Sequence, residues 1–323
     1  MKILFIQLGR IGDMVLLTPL FRAVKEKYPD ALIDIIASRR NYNIIINNPN
    51  LNDIIIYEKS PVKFLNTIRK VRKNFYDYYI DPKDHFSRES KLFAKVIRAG
   101  KKIGFNTHDN RTFDYAIPSD IENIDLHCTR RFFNSLKPLS ILNGEKVEKP
   151  ELFTIPDSDE YVENYLIKQE FKNVILVNIS ATMNSRMFST SKWISILNEC
   201  NSGKNFIVLY APEENTQAEE LKKSLPFLNL FPSRSIQDVV SIVKRADSII
   251  TVDTALVHIA SAFNIPIFCF FIGNEEQIKK YHPLSDVSVV MKSADSSSEI
   301  ELIDNIEIKS NLKEFLNFAK LNI

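Results

Sequence analysis

Asp253, Thr254 and His258 lie where the pattern of a buried strand changes into the pattern of a helix. The β-branched run 248–252 ends at Asp253, and apolar residues then recur at helical spacing. The first amides of such a helix have no intrahelical partner and lie at the positive end of its dipole. This turn is therefore suited to an anion such as a diphosphate. An ordinary helix capped by Asp253 or Thr254 is the alternative interpretation.

Asp13 lies in a second pattern of strand, turn and helix near the N-terminus. The apolar run 2–8 is followed by Gly9 and Gly12, and a helical pattern begins at residue 14. The helix dipole would keep the Asp13 carboxylate ionised at the carboxyl edge of a sheet. The turn lacks the third glycine of a dinucleotide fingerprint, so it is weak support for NAD binding. Helix capping is the alternative role for Asp13.

A third polar segment follows the apolar run 174–178. Ser180 and Thr182 supply hydroxyl groups and Arg186 a guanidinium before a helical pattern begins. At the carboxyl end of a strand these groups can hold phosphate oxygens. Trp193 recurs at helical spacing with Leu197, which indicates a core residue.

The 323 residues predict two domains of mostly parallel α/β structure. Apolar strand patterns at 2–8, 31–37, 53–57, 76–81 and 102–105 alternate with helical patterns such as 62–73 and 88–99. They resume at 174–178, 206–210, 248–252 and 265–271. Such alternation is typical of doubly wound sheets, and two of them would face each other across a cleft. The polar, proline-flanked region 142–156 is the linker candidate, which divides the chain into domains 1–152 and 153–323.

The net charge of +2 hides a difference between the halves. Residues 1–150 carry 26 Lys and Arg against 17 Asp and Glu, whereas residues 151–323 carry 16 against 23. A basic first half suits an anionic glycolipid or the inner membrane surface, although solvated helix faces explain any single cluster. No nucleic-acid partner is expected, because no recognisable binding motif accompanies the basic clusters.

Metal and disulfide chemistry are disfavoured by the histidine and cysteine positions. The five histidines are His85, His108, His127, His258 and His282, and they show no metal-ligand spacing. Cys128, Cys200 and Cys269 are too few and too scattered for a disulfide framework, so we interpret them as core residues of a cytosolic protein. No apolar run reaches the length of a membrane span, and residues 1–3 begin directly as a strand without the zones of a signal peptide.

These segments resemble glycosyltransferase family 9, the ADP-heptose:lipopolysaccharide heptosyltransferases of the GT-B fold. The family's N-terminal mark is Gly-Asp before a helix with Thr-Pro, here residues 11–14 and 18–19. Its second mark, of the Asp-Thr-Gly-Leu-Ser-His type, corresponds to residues 253–260. A looser mark, a basic residue ahead of Trp-Pro or Trp-Ser, corresponds to residues 186–189. The resemblance covers nearly the whole chain.

The resemblance implies roles for matching positions. Asp13 corresponds to the proposed catalytic base, and Glu213 to a carboxylate near the nucleoside. The implied donor-diphosphate site comprises Ser180, Thr182, Arg186, Asp253, Thr254, Ala255, Leu256 and His258. Apart from the resemblance, the candidate acceptor-binding residues are Arg10 and Gly12 beside Asp13 and, from the basic first half, Lys101 and Arg130. The last helix, about 310–323, is expected to pack back on the first domain.

The resemblance also implies inverting transfer of a heptose from ADP-heptose to a lipopolysaccharide or lipooligosaccharide inner-core acceptor, with no cofactor and no metal. Arg186 replaces the family's usual Lys and keeps its charge. Three further positions depart from the family pattern: Ala255 replaces Gly, Val257 replaces Ser, and Phe188 replaces Trp. A backbone amide survives such changes, so diphosphate binding is retained, whereas the identity of the sugar is more open. We expect a cytoplasmic protein with peripheral contact to the inner face of the cytoplasmic membrane.

Three alternatives remain open at this level. A family 9 relative could use another nucleotide sugar or another glycan. A non-catalytic sugar-nucleotide-binding protein would keep the Asp253 turn without needing Asp13. A nicotinamide-dependent oxidoreductase would use similar sheets, but no Gly-x-Gly-x-x-Gly follows any strand pattern.

Overall fold

The computed structural model describes residues 1–108, 111–142, 144, 147–171, 173–198 and 205–321, without the side chains of residues 319–321. It divides into two compact units, Met1–Phe153 and Thr154–Ile323. Each unit contains one sheet of six strands, and every described pairing between these strands is parallel. Each sheet carries its own helices, so each unit is a separate α/β structure.

The first unit has the strand order β3-β2-β1-β4-β5-β6. Its strands are β1 (Lys2–Gln7), β2 (Leu32–Ser38), β3 (Asp53–Tyr57), β4 (Tyr76–Ile80), β5 (Ala99–Gly104) and β6 (Tyr115–Ala116). Its helices are α1 (Ile11–Lys27), α2 (Pro61–Val71), α3 (Arg88–Val96) and α4 (Cys128–Phe133). The order reverses between β1 and β4, and we call this place the β1/β4 switch point.

The second unit repeats this topology with the order β12-β11-β10-β7-β8-β9. Its strands are β7 (Val174–Asn178), β8 (Asn205–Leu209), β9 (Leu228–Leu230), β10 (Ser248–Val252), β11 (Ile267–Phe271) and β12 (Ser288–Lys292). Its helices are α5 (Pro156–Lys168), α6 (Thr190–Leu197), α7 (Asn215–Ser224), α8 (Ile236–Lys244), α9 (Ala255–Ala262), α10 (Glu275–Tyr281) and α11 (Asn305–Leu321). The order reverses between β7 and β10, the β7/β10 switch point.

Aromatic packing holds the loop after β7 on the core of the second unit. Phe188 and Trp193 are buried, and their rings meet edge to face at 5.1 Å. Phe188 also meets Phe270 of β11 at 4.7 Å. Pairs of this geometry stabilise a core beyond their buried area. Phe188, which replaces the family's Trp, and Trp193 are therefore core residues, as predicted for Trp193.

Helix α11 buries its apolar face within the second unit. Ile308, Leu312, Phe315 and Leu316 belong to the core of this unit, and the Phe315 ring lies 5.6 Å from that of Phe268. That the last helix packs back on the first unit stays a prediction.

The strand patterns of the sequence are confirmed where an apolar run is long. The structure adds the short strands β6 and β9 and the partly exposed β12, which no such run indicated. Cys128 and Cys269 are buried, as predicted for core residues. Cys200 lies outside the described residues.

Candidate active site

Five of the residues predicted to bind the donor follow three neighbouring strands of the second sheet. Strand β7 lies between β10 and β8, so the loops after these strands meet at one edge. Ser180, Thr182 and Arg186 follow β7, Glu213 follows β8 and Asp253 follows β10. In open parallel sheets, ligands bind outside the carboxyl ends of strands at such a switch point. This edge is therefore the candidate ligand site of the unit.

Arg186 and Asp253 join the two loops that flank the β7/β10 switch point. The Arg186 Nη1 atom lies 2.7 Å from the Asp253 Oδ2 atom, and the two side chains are 21% and 13% exposed. The Arg186 Nε atom is buried and has no partner among the residues that the structure describes. The guanidinium is thus held by one carboxylate while it keeps donors for a further anionic oxygen.

Asn178, at the end of β7, was missed by the sequence analysis. Its amide is buried and donates to the hydroxyls of Thr251 at 3.0 Å and Thr254 at 3.3 Å. The same amide donates to the Ser180 carbonyl at 3.1 Å. The signal that could have indicated it is a lone polar residue at the end of an apolar strand. It fixes the loop after β7 relative to the start of α9.

Thr254 is the N-cap of α9, as one of the two interpretations of this turn predicted. Its hydroxyl accepts a hydrogen bond from the Leu256 backbone N–H at 3.3 Å. Ala255 is the first helical residue. The cap takes up the Leu256 N–H group, and the positive end of the helix dipole stays at this turn. Capping and anion binding are therefore compatible here.

The remaining predicted residues of the loops differ in their surroundings. The Ser180 hydroxyl accepts a hydrogen bond from the Ala211 N–H at 2.7 Å, which ties the loop after β7 to the loop after β8. Thr182 and Glu213 are exposed. Glu214, which the sequence analysis did not single out, has an Oε2 atom that is buried without a partner in the described part of the chain.

His258 is a buried, neutral imidazole on α9. Burial, and to a smaller extent nearby His282, lowers the pKa of His258 to about 3. Its Nδ1 atom is buried and finds no hydrogen-bond partner among the described residues. At neutral pH the side chain therefore carries no charge toward a diphosphate, and any contact it makes is that of a neutral ring.

Asp13 lies in the first turn of α1, directly beyond β1. Its Oδ2 atom accepts a hydrogen bond from the Arg10 N–H at 3.0 Å. A Cβ atom at Gly9 would lie 2.5 Å from this oxygen, so only glycine leaves the carboxylate in place. The buried Asn41 amide donates to the carbonyls of Gln7 and Gly9, each at 3.0 Å, and fixes the turn.

The predicted acceptor-side residues do not share one position. Arg10 and Gly12 flank Asp13 in the turn. Lys101 pairs in register with Tyr78, which pairs with Ile3, so it lies toward the amino ends of the strands. Arg130 on α4 donates to the Gly144 carbonyl at 3.0 Å. Arg10 and Gly12 are therefore adjacent to Asp13, whereas Lys101 lies toward the other end of the strands.

The described ranges contain no group of three or more His, Cys, Asp and Glu residues that could hold a metal ion. Within the same ranges, no helix is long and apolar enough to cross a membrane.

Each unit thus carries groups that can serve a different role in a group-transfer reaction. The β1/β4 switch point carries a carboxylate that can accept a proton. The β7/β10 switch point carries a guanidinium and a helix N-terminus, which can stabilise a departing anion.

Comparison with known proteins identifies the family. The model of glycosyltransferase family 9 (heptosyltransferase) matches residues 64–302. Lipopolysaccharide heptosyltransferase 3 of Escherichia coli is 21% identical over 280 residues, which cover 80% of each chain.

Two solved structures share the fold. ADP-heptose lipopolysaccharide heptosyltransferase II of E. coli matches with a TM-score of 0.81 and 17% identity, over 99% of this chain and all of the other. E. coli heptosyltransferase WaaC, solved with ADP, matches with a TM-score of 0.76 and 15% identity, over 98% of this chain and all of the other. The predicted GT-B class with two doubly wound α/β sheets is confirmed. The chain belongs to glycosyltransferase family 9 and is a glycosyltransferase.

Proposed function

We propose that this chain transfers a heptose from ADP-heptose to an inner-core sugar of lipopolysaccharide or lipooligosaccharide, with inversion and without a metal ion. The observation that carries the proposal is the Arg186–Asp253 pair beside the capped N-terminus of α9. This arrangement suits a diphosphate leaving group. Solved relatives named as heptosyltransferases, one of them with ADP, support ADP as the nucleotide.

In the proposed reaction, the acceptor hydroxyl oxygen attacks the anomeric carbon of the donor sugar. Asp13 takes the hydroxyl proton while the bond between that carbon and the diphosphate oxygen breaks. The electron pair of this bond leaves with ADP. A single displacement inverts the anomeric centre, and the sugar passes through an oxocarbenium-like state.

The residues of the second unit would stabilise the negative charge that develops on ADP. The Arg186 guanidinium and the first amides of α9 would supply fixed positive charge, so no metal ion is required at the diphosphate. Ser180, Thr182 and Thr254 would add hydroxyl contacts, and Glu213 or its neighbour Glu214 would contact the nucleoside. His258 would contribute a neutral hydrogen-bonding atom.

The proposed acceptor is an anionic glycolipid, which is consistent with the basic residues 1–150. Arg10, Gly12, Lys101 and Arg130 are the proposed acceptor-side residues, and Arg10 and Gly12 adjoin Asp13. The proposed location is the cytoplasm, with peripheral contact to the inner face of the cytoplasmic membrane. No nucleic-acid partner is proposed.

The test of the nucleotide is a calorimetric titration of the metal-free protein with ADP, UDP, GDP, dTDP and NAD. We expect ADP to bind with micromolar affinity and the others far more weakly. Preference for another nucleoside diphosphate would retain the reaction class and change the donor. Binding of NAD alone would overturn the proposal.

The test of the reaction combines ADP-heptose with lipopolysaccharide core that lacks heptose, with and without EDTA. We expect ADP release and a product whose new anomeric centre, determined by NMR, is inverted. Retention of configuration would overturn the mechanism, and loss of turnover in EDTA would overturn metal independence. Tight ADP binding without transfer to any core would favour the non-catalytic alternative.

A further inference from the structure

The loop after β4 carries a histidine that is oriented by a buried aspartate. The His85 Nδ1 atom lies 3.1 Å from the Asp84 Oδ1 atom. The His85 side chain is 54% exposed, whereas that of Asp84 is only 5% exposed. A carboxylate accepts hydrogen bonds, so this contact requires the proton on Nδ1. The neutral ring therefore offers Nε2 as a hydrogen-bond acceptor.

Arg131 holds the Asp84 carboxylate in place. Its Nη1 atom lies 3.1 Å from the Asp84 Oδ2 atom, and the guanidinium is almost completely buried. The same guanidinium donates to the backbone carbonyls of Leu126 at 2.8 Å and Ile124 at 3.1 Å. The aspartate is thus fixed on both oxygens, which restrains the position of His85.

The loop of His85 and the turn of Asp13 both lie at the β1/β4 switch point. Strands β1 and β4 pair in register, with Phe5 opposite Ile80. Asp13 follows β1 and His85 follows β4, so the two loops flank the β1/β4 switch point. Ligands of such sheets bind in the crevice between these loops.

Phe86 adds an exposed aromatic ring to this loop. Its side chain is 47% exposed, and the Lys91 Nζ atom lies 5.8 Å from the ring centroid. An aromatic face can pack on the C–H groups of a sugar ring, while an imidazole nitrogen accepts a hydrogen bond from a sugar hydroxyl. The pair of side chains thus has the chemistry of a carbohydrate subsite.

We infer that His85 and Phe86 form a subsite for a sugar of the acceptor, with Asp84 and Arg131 as positioning residues. His85 Nε2 accepts a hydrogen bond from a sugar hydroxyl, and the Phe86 ring packs on the same or the next sugar. The subsite binds the acceptor before Asp13 takes its proton. This inference rests on the proposed function.

The test measures steady-state transfer from ADP-heptose to heptose-free lipopolysaccharide core, once with its lipid and once after the lipid is removed. In His85→Ala we expect the acceptor KM to rise about tenfold for both forms, because one hydrogen bond is lost. The donor KM and kcat should stay within about twofold. His85→Gln should recover part of the loss, because its amide oxygen can replace Nε2. Asp84 is left unchanged, because its removal would leave Arg131 buried without its carboxylate.

Phe86→Ala has a matched control in Phe75→Ala. Phe75 is 59% exposed and precedes β4, so it lies at the opposite edge of the sheet. We expect Phe86→Ala to raise the acceptor KM and Phe75→Ala to leave it unchanged. An equal effect of both variants would overturn the role of Phe86.

If the wild type transfers heptose and the acceptor KM of His85→Ala is unchanged, the subsite is overturned while the proposed function stands. If the wild type transfers nothing, the proposed function fails, and calorimetry with the delipidated core decides the subsite. Weaker binding in His85→Ala supports it, whereas equal binding or none overturns it. In ¹⁵N-histidine NMR spectra we expect the Nδ1–H tautomer for His85, and the opposite tautomer would also overturn it.

Discussion

The two switch points have the same topology but are built differently. At β7/β10, the ion pair of Arg186 and Asp253 joins the loops that follow the two central strands. Asn178 adds a bond from β7 to the cap of α9. At β1/β4, the described bond of the Asp13 carboxylate is to Arg10 of its own turn. The turn itself is held from the side of β2, by Asn41.

This difference corresponds to the two kinds of chemistry proposed. A leaving diphosphate needs positive charge that is already in position, and a cross-linked pair of loops supplies it. A general base needs a carboxylate oxygen that stays available for a proton. In the turn of Asp13, a close steric fit against Gly9 holds the carboxylate in position.

The largest expected effect is that of Asp13→Asn on turnover. The amide oxygen can still accept the Arg10 N–H, so the start of α1 is retained, but the side chain no longer accepts a proton. We expect kcat to fall roughly 10²-fold or more with unchanged ADP affinity. The measurement is ADP release in the presence of acceptor, with calorimetry as the control. Turnover near the wild-type rate would remove Asp13 from this role.

Arg186→Ala should act on the donor. The change removes the guanidinium and leaves the Asp253 carboxylate to repel the diphosphate. We expect the donor KM to rise roughly 10- to 100-fold, with a smaller rise in Arg186→Lys. The double variant Arg186→Ala with Asp253→Asn should recover part of the affinity. A donor KM that Arg186→Ala leaves unchanged would contradict the diphosphate assignment.

Gly9→Ala and Gly273→Ala compare the steric role of a glycine in the first unit with that of a glycine in the second. At Gly9 the new Cβ atom meets the ends of the Asp13 and Gln7 side chains, which can move. We expect kcat to fall roughly tenfold with little change in Tm. At Gly273 the Cβ atom would overlap the Ser293 carbonyl oxygen, which is backbone and cannot easily move, so this variant should chiefly lose stability. Thermal unfolding and steady-state kinetics of both variants separate the two outcomes, and a wild-type kcat in Gly9→Ala would argue against steric positioning of Asp13.

The smallest effect concerns the pH dependence of stability. His258 has a pKa of about 3 in the folded protein and an ordinary value of 6.5. Between these values the unfolded chain binds the proton and the folded chain does not. The free energy of unfolding should therefore fall as pH decreases from 6.5 toward 3, by at most about 1.4 kcal/mol per pH unit from this group. Urea unfolding at pH 7 and pH 5 should show a smaller fall in His258→Leu, and an equal fall in both proteins would contradict the buried neutral ring.

Long apolar runs made much of the fold predictable. The runs that became β1, β7 and β10 are flanked by turns with glycine, asparagine or aspartate, so strand and helix starts were readable from local pattern. Strand β12 was missed because it lies at the edge of its sheet and is partly exposed, so its sequence carries only a short apolar run. Strand β6 has only two residues.

The candidate site was predictable only in part. Arg186 and Asp253 could each be named from their loops, but their contact across 67 positions of the chain could not. The bridging role of Asn178 and the fixation of Asp84 by Arg131 also depend on residues far apart in sequence. Lys101 was assigned from charge, and only the strand register revealed its distance from the Asp13 turn.

The sequence by itself determined the alternation of strands and helices, the Asp13 and Asp253 turns and the family resemblance, because these depend on local spacing and residue type. Only the tertiary structure decided which loops meet at a switch point, that His258 is buried and neutral, and that Asp84 orients His85. Those properties depend on segments that are distant in sequence and meet only on folding, where they exclude water and bring charges together. A local sequence pattern therefore does not predict them.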